Sequence, residues 1–205
     1  MKVLIRNGRV VNPATGRDER ADIAVASGRI RSIGNMAADF TPDRIIEAEG
    51  CVVSPGLVDL SARLREPGHE HEGMLESELN AAAAGGVTSL VCPPDTDPAL
   101  DEPGLVDMLK FRARKLSLCR LFPLGALTRG LAGEALTEMV ELTESGCVGF
   151  SQAETPIRDT QVLLRALQYA STHGYPVWLR PQDASLGKGV AASGAVATRL
   201  GLSGV

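Results

Sequence analysis

The residues best equipped for chemistry lie in short clusters along the middle of the chain. The first is Gly56-Leu57-Val58-Asp59-Leu60-Ser61-Ala62-Arg63-Leu64-Arg65-Glu66-Pro67-Gly68. Arg63 and Arg65 each present a fork of N–H donors with no lone pair. Neither can hold a cation, and both suit carboxylate or phosphate. Asp95-Thr96-Asp97-Pro98 follows Cys92, and Phe150-Ser151-Gln152 precedes Glu154. Arg180 and Gln182 stand beyond Trp178. Glu66, Asp95 and Glu154 could pair as acid and base, but their simpler task is to neutralise Arg63 and Arg180. His69 and His71 form a His-x-His pattern in an exposed loop without carboxylate or histidine support from elsewhere in the chain, so an exposed pair is the plainer reading than a metal site. His173 falls at a helix end, where an imidazole complements the dipole. Cys92 has no histidine beside it and reads as a buried thiol. Trp178 reads as a core or packing residue.

These clusters need elements to carry them. Residues 1–52 read as short strands with hairpin signals at Asn7-Gly8 and Ser27-Gly28. From residue 53 onward, apolar runs at 57–60, 87–92, 121–124, 148–150 and 177–179 alternate with helical patterns. The helices are expected at 74–84, 102–116, 133–144, 159–172 and 190–200. Leu136, Met139, Val140 and Thr143 follow i, i+3, i+4, i+7, and Val162, Leu163, Ala166, Leu167 and Ala170 share one face. His173-Gly174 with Pro176 beyond is a helix stop. Such alternation predicts a parallel sheet covered by helices. No Gly-x-Gly-x-x-Gly follows the first strand, which disfavours a dinucleotide fold. Five strands fall in about 150 residues, whereas a closed eight-stranded barrel takes about 250. The reading is therefore α/β: a partial (β/α)8 barrel over 53–205, comprising its first five β/α units, preceded by a small β-sandwich portion over 1–52. The chain is expected to be a fragment or truncated product.

Composition narrows the function. The 205 residues are 44% hydrophobic with a formal charge of −4, which suits a soluble domain with a sizeable core. Mild acidity leaves no electrostatic footprint for nucleic acid, and 3% aromatics leave no stacking platform. No apolar run approaches the ~18 residues of a membrane span. Cys51, Cys92, Cys119 and Cys147 are widely spaced without Cys-x-x-Cys, as expected of reduced thiols in a cytoplasmic protein.

Several segments, in order, resemble dihydroorotases of the amidohydrolase superfamily. They are Asn7-Gly8 with Val11-Asn12-Pro13, Pro55-Gly56-Leu57-Val58-Asp59, Leu64-Arg65-Glu66-Pro67-Gly68, the run 82–88, Gly125-Ala126-Leu127-Thr128, Val148-Gly149-Phe150-Ser151 and the run 194–201. The resemblance implies a barrel of metal-dependent hydrolase type whose strand ends hold zinc. It also implies where this chain departs. Ser61 and Arg63 stand where the family has two histidines. Gln152 stands where it has an aspartate, and Arg180 and Gln182 where it has a histidine and an acidic residue. Arg65 matches the arginine that grips the substrate carboxylate. Asp95 replaces a substrate-binding asparagine, leaving Arg65 and Asp95 as vestigial substrate positions. No catalytic residue, metal ligand or cofactor is expected here.

The resemblance therefore points to a non-catalytic dihydroorotase-like homologue in pyrimidine biosynthesis, acting as a structural partner of aspartate carbamoyltransferase in a hetero-oligomer. Two alternatives stand beside it. One is an active cyclic-amide hydrolase with an atypical site, converting carbamoyl aspartate to dihydroorotate. The other is a nonfunctional truncated fragment. An anion between Arg63, Arg65 and Arg180 remains an open reading.

Overall fold

A computed structural model describes residues 1–35, 38–116, 118–181 and 189–204. The chain divides into two compact units, Met1–Gly56 and Leu57–Val205.

The first unit is a five-stranded sheet built from β1 (Lys2–Asn12), β2 (Arg17–Ala26), β3 (Arg29–Ile33), β4 (Arg44–Glu47) and β5 (Val52–Val53). The order is β3-β2-β1-β4, with β5 pairing β1 further along its edge. Leu4, Val10, Ile23 and Ala24 are buried in it. Ser27 and Gly28 both have positive φ and close the β2–β3 hairpin as expected. Asn7-Gly8 does not make the turn anticipated for it. A two-residue hairpin turn of that kind needs two left-handed residues, and of these only Asn7 is left-handed, at φ 62°. The strand instead runs straight through, with a register shift between Ile5 and Gly8. The Asn7 amide donates to Asp22 Oδ1 and its Nδ2 to Glu47 Oε1, so one bulged residue ties β1 to both neighbours. The actual turn lies at 13–16, where the Asn12 side chain accepts from the Ala14 amide.

The second unit carries the parallel strands β6 (Leu57–Asp59), β7 (Val87–Cys92), β8 (Arg120–Pro123), β9 (Gly125–Ala126), β10 (Phe150–Ser151) and β11 (Val177–Trp178). The ladders run β6-β7-β8 and β9-β10-β11. Leu124 N donates to Cys92 O, Gly125 N to Gly149 O and Val148 N to Pro123 O. These bonds join the ladders, so β8 and β9 are one barrel strand interrupted at Leu124. The five expected strands are thus all present. Helices α1 (Leu75–Ala84), α2 (Pro103–Leu116), α3 (Met139–Glu144), α4 (Thr160–His173) and α5 (Ala195–Leu200) alternate with them. The core forms where helix faces meet the sheet: Leu75 and Leu79 of α1, Leu90 and Cys92 of β7, Val106 and Leu109 of α2, Leu142 of α3, Phe150 of β10 and Ala166 of α4. Each buried leucine contributes about 2 kcal/mol of apolar burial.

Two helices are shorter than their patterns suggest. Residues 133–138 do not join α3, because their backbone folds back instead. Leu136 bridges Thr128, the Thr137 amide donates to Leu127 O, and Thr137 Oγ1 donates to Ala126 O. With its backbone groups satisfied this way, the segment has no need of a helical ladder. Helix α5 begins only after Gly194, and Ala191 before it bridges Gly204. Helix α4 ends as expected, with Gly174 left-handed at its C-terminus, and starts on Asp159, whose carboxylate accepts from the Gln161 amide.

One buried carboxylate anchors the first helix. Glu66 is only 2% exposed. Its Oε2 accepts from the Leu75 amide at 2.7 Å, at the start of α1, and its Oε1 pairs with Arg112 of α2. A negative charge there complements the helix N-terminus. Replacing it strands a buried amide, since Arg112 reaches solvent. Glu66→Ala is expected to cost about 2 kcal/mol, read as a lower urea midpoint at unchanged slope.

Candidate functional site at the strand ends

The C-terminal ends of barrel strands are where such folds place their chemistry. Arg63 follows β6, Asp95 follows β7, Glu154 follows β10 and Arg180 follows β11. The structure brings these four together. Arg63 Nε lies 2.8 Å from Asp95 Oδ2, and Arg63 Nη2 lies 2.7 Å from Glu154 Oε1. Arg180 Nη1 donates to that same Glu154 oxygen. The Glu154 hydrogen bond holds the Arg63 pKa above the ordinary guanidinium value, against the opposing effect of burial. Reciprocally, the bond from Arg63, supported by Arg180, holds the Glu154 carboxyl below the usual glutamate value. Glu66 takes no part in this network, contrary to the expectation that it helps neutralise Arg63 and Arg180. It is buried against α1 and α2. Chain neighbours on a loop can point to opposite sides, and spacing alone does not say which.

The cavity beside these groups has a volume of about 240 Å3 and is bordered by Ser61, Arg63, Ser151, Glu154, Trp178 and Arg180, among others. Trp178 is half-buried rather than a core residue. Its ring lies so close to Gly149 that a Cβ there would meet Trp178 Cζ3 at 2.3 Å. Arg65 sits apart from the network, with φ 63° and its Nε 3.2 Å from Glu72 Oε2. It does not border the cavity. Gln182 lies outside the described residues.

Gln152 is near the mouth in sequence but turns inward. It is 2% exposed. Its Nε2 donates to Thr128 Oγ1 and to Leu131 O, both at 2.9 Å, and Thr128 Oγ1 lies 3.1 Å from its Oε1. Thr128 in turn accepts from the Gly133 amide. The amide is a strut for the 128–133 loop. Thr128, Leu131 and Arg112 are the partners that sequence reading missed. They lie between 21 and 46 positions from the residues they hold, and no local pattern marks them.

The remaining candidates fall where their plain readings put them. Cys92 and Cys147 are both buried. Burial pushes both thiols up to about 12. His69 and His71 face each other edge-on in their loop, with His71 exposed and near Glu72. His173 stacks on Tyr175 and meets Tyr169 at the end of α4.

Residues 50–205 match the family described as dihydroorotase-like. The chain belongs to the dihydroorotase-like family. It is 45% identical over its full length to a dihydroorotase-like protein of Pseudomonas putida, of which it covers 49%. It is 43% identical, again over its full length, to a dihydroorotase of Pelobacter propionicus, with the same 49% covered. The chain thus spans about half the length of the curated relatives it matches. In fold it resembles the L-hydantoinase (dihydropyrimidinase) of Arthrobacter aurescens, with a TM-score of 0.77 over 90% of this chain and 41% of that one, at 22% identity. These neighbours identify the fold as the amidohydrolase barrel, here a partial domain.

The dihydroorotase-like family implies zinc at the strand ends, and the side chains present do not fit it. Arg63 and Arg180 offer only N–H donors. The Asp95 and Glu154 carboxylates are engaged by those guanidiniums, and the Gln152 amide is committed to Thr128 and Leu131. Among the described residues, no three His, Cys, Asp or Glu side chains gather into a metal site. Restoring one acid should not suffice. Gln152→Asp is expected to leave zinc content at background by elemental analysis. The variant should also lose about 2 kcal/mol of stability, because a shorter carboxylate cannot donate to Leu131 O.

The thiols give a separate check. Between the ordinary value of 9.0 and about 12, the unfolded chain releases a Cys92 proton that the folded chain keeps. Stability therefore falls as pH rises through that window. At pH 8, iodoacetamide is expected to label the exposed Cys51 and to reach Cys92 and Cys147 only on unfolding, as read by peptide mass mapping.

Proposed function

We propose that this chain belongs to a non-catalytic dihydroorotase-like protein of pyrimidine biosynthesis that serves as a structural partner of aspartate carbamoyltransferase. The observation that carries the reading is the inverted charge at the strand ends. Two guanidiniums, Arg63 and Arg180, sit around Glu154 where family chemistry calls for a dication and its lone-pair donors. A hydroxide generated on a metal needs that cation, and positive side chains repel it. Among the described residues, the thiol nearest in the chain to this site, Cys92, is held protonated by burial and is no activated nucleophile. The part of the barrel that this chain supplies, by contrast, keeps its frame. Its five strands, Glu66-anchored α1 and packed helices keep the outer surface that a partner protein would recognise.

A second reading has support of its own. The Pelobacter propionicus relative, at 43% identity, is named a dihydroorotase, so an active cyclic-amide hydrolase with an atypical site is the competing function. Co-purification separates the two. The full-length protein is expressed with aspartate carbamoyltransferase from the same source, and zinc content and dihydroorotase turnover are measured on the purified sample. The proposal expects a stable complex without zinc and without turnover attributable to this chain. Zinc at one equivalent with turnover overturns it in favour of the hydrolase.

A further inference from the structure

The strand-end network has a feature that charge balance alone does not require. Both guanidiniums converge on a single oxygen, Glu154 Oε1. Two like charges so close together need an anion between them, whichever anion it is. Glu154 fills that place from an exposed position, its side chain still 52% accessible. It reaches there through Ala153, whose φ of 50° lies in the left-handed region that strains a residue with a Cβ. The bend is supported locally by the Ala153 amide donating to Ser151 Oγ. Beside Glu154 lies the cavity of about 240 Å3, with Ser61, Ser151 and the Trp178 ring on its wall.

From this geometry we propose that the barrel mouth is a binding site for a small multivalent oxyanion, a phosphate or a short dicarboxylate. Arg63 and Arg180 form its fork, and Glu154 is an internal occupant that the ligand displaces. The guanidinium fork matches two oxygens of such an anion. The hydroxyls of Ser61 and Ser151 stand on the cavity wall as further donors. Glu154 is already half-exposed, so returning its carboxylate to solvent costs little desolvation and eases exchange. Asp95 stays on Arg63, so an anion displaces Glu154 by engaging both guanidiniums at once. The inference rests on the reading that guanidiniums, rather than a metal, occupy the strand ends.

Trp178 is the only tryptophan in the chain, so its fluorescence reports on this cavity alone. The full chain is titrated with inorganic phosphate and, separately, with succinate at constant ionic strength. A saturable change is expected with at least one, and the probe that saturates first identifies the class. Glu154→Gln removes the internal competitor and is expected to tighten binding about tenfold. Because that is a gain, misfolding cannot imitate it. Arg180→Met is expected to abolish the response. A flat titration in both the unmodified chain and Glu154→Gln overturns the proposal. So does equal affinity in the two, or a response that survives Arg180→Met. Zinc is titrated on the same samples: saturable zinc binding overturns the metal-free reading on which the site depends, whereas absence of both zinc and anion binding overturns the anion site alone.

Discussion

A guanidinium at the end of a barrel strand must be surrounded by carboxylates, and Arg63 sets that condition for the whole mouth. Its partners come from two other strand ends, Asp95 after β7 and Glu154 after β10, and Glu154 brings in Arg180 after β11. One cation thereby helps cross-link the ends of four parallel strands, beyond their ladders and shared core. In a hydrolase of this architecture a metal ion provides the link. Here side chains of balanced charge provide it, two positive and two negative. Such a network is screened by salt and softened by its exposure. It holds the loops in place without adding much to the stability of the barrel, which comes from the helix–sheet core.

The sequence reading succeeded where the signal is local. Apolar runs located all five barrel strands. Gly174 ended α4, and Ser27-Gly28 closed a hairpin. It failed where the deciding partner is distant. Asn7-Gly8 looks like a turn because nothing nearby reveals Asp22 and Glu47, which hold Asn7 as a bulge inside a long strand. Leu136 fits a helical period, yet its segment is claimed by hydrogen bonds to 126–128. Glu66 was grouped with the mouth by adjacency to Arg65, and only the packed fold shows that its partners are the Leu75 amide and Arg112.

Gln152 makes the same point for the site itself. As a residue type it says only that an acid is missing. Its position in a closed hydrogen-bonded group with Thr128 and Leu131 says that the side chain has acquired another task. A buried amide whose donors and acceptor are all used is costly to alter. The 128–133 loop depends on this side chain for its support.

Arg65 and Glu66 are neighbours in the chain, yet they belong to different mechanical parts. Arg65 turns, through its left-handed backbone, toward the loop that carries Glu72. Glu66 passes beneath it into the helical shell and fixes where α1 begins. The peptide bond between them is a seam in the barrel rim. Outward of it, side chains can be exchanged at the cost of surface charge. Inward of it, any exchange unseats a helix. A barrel with such a seam can change the residues at its mouth while keeping the helices that surround it.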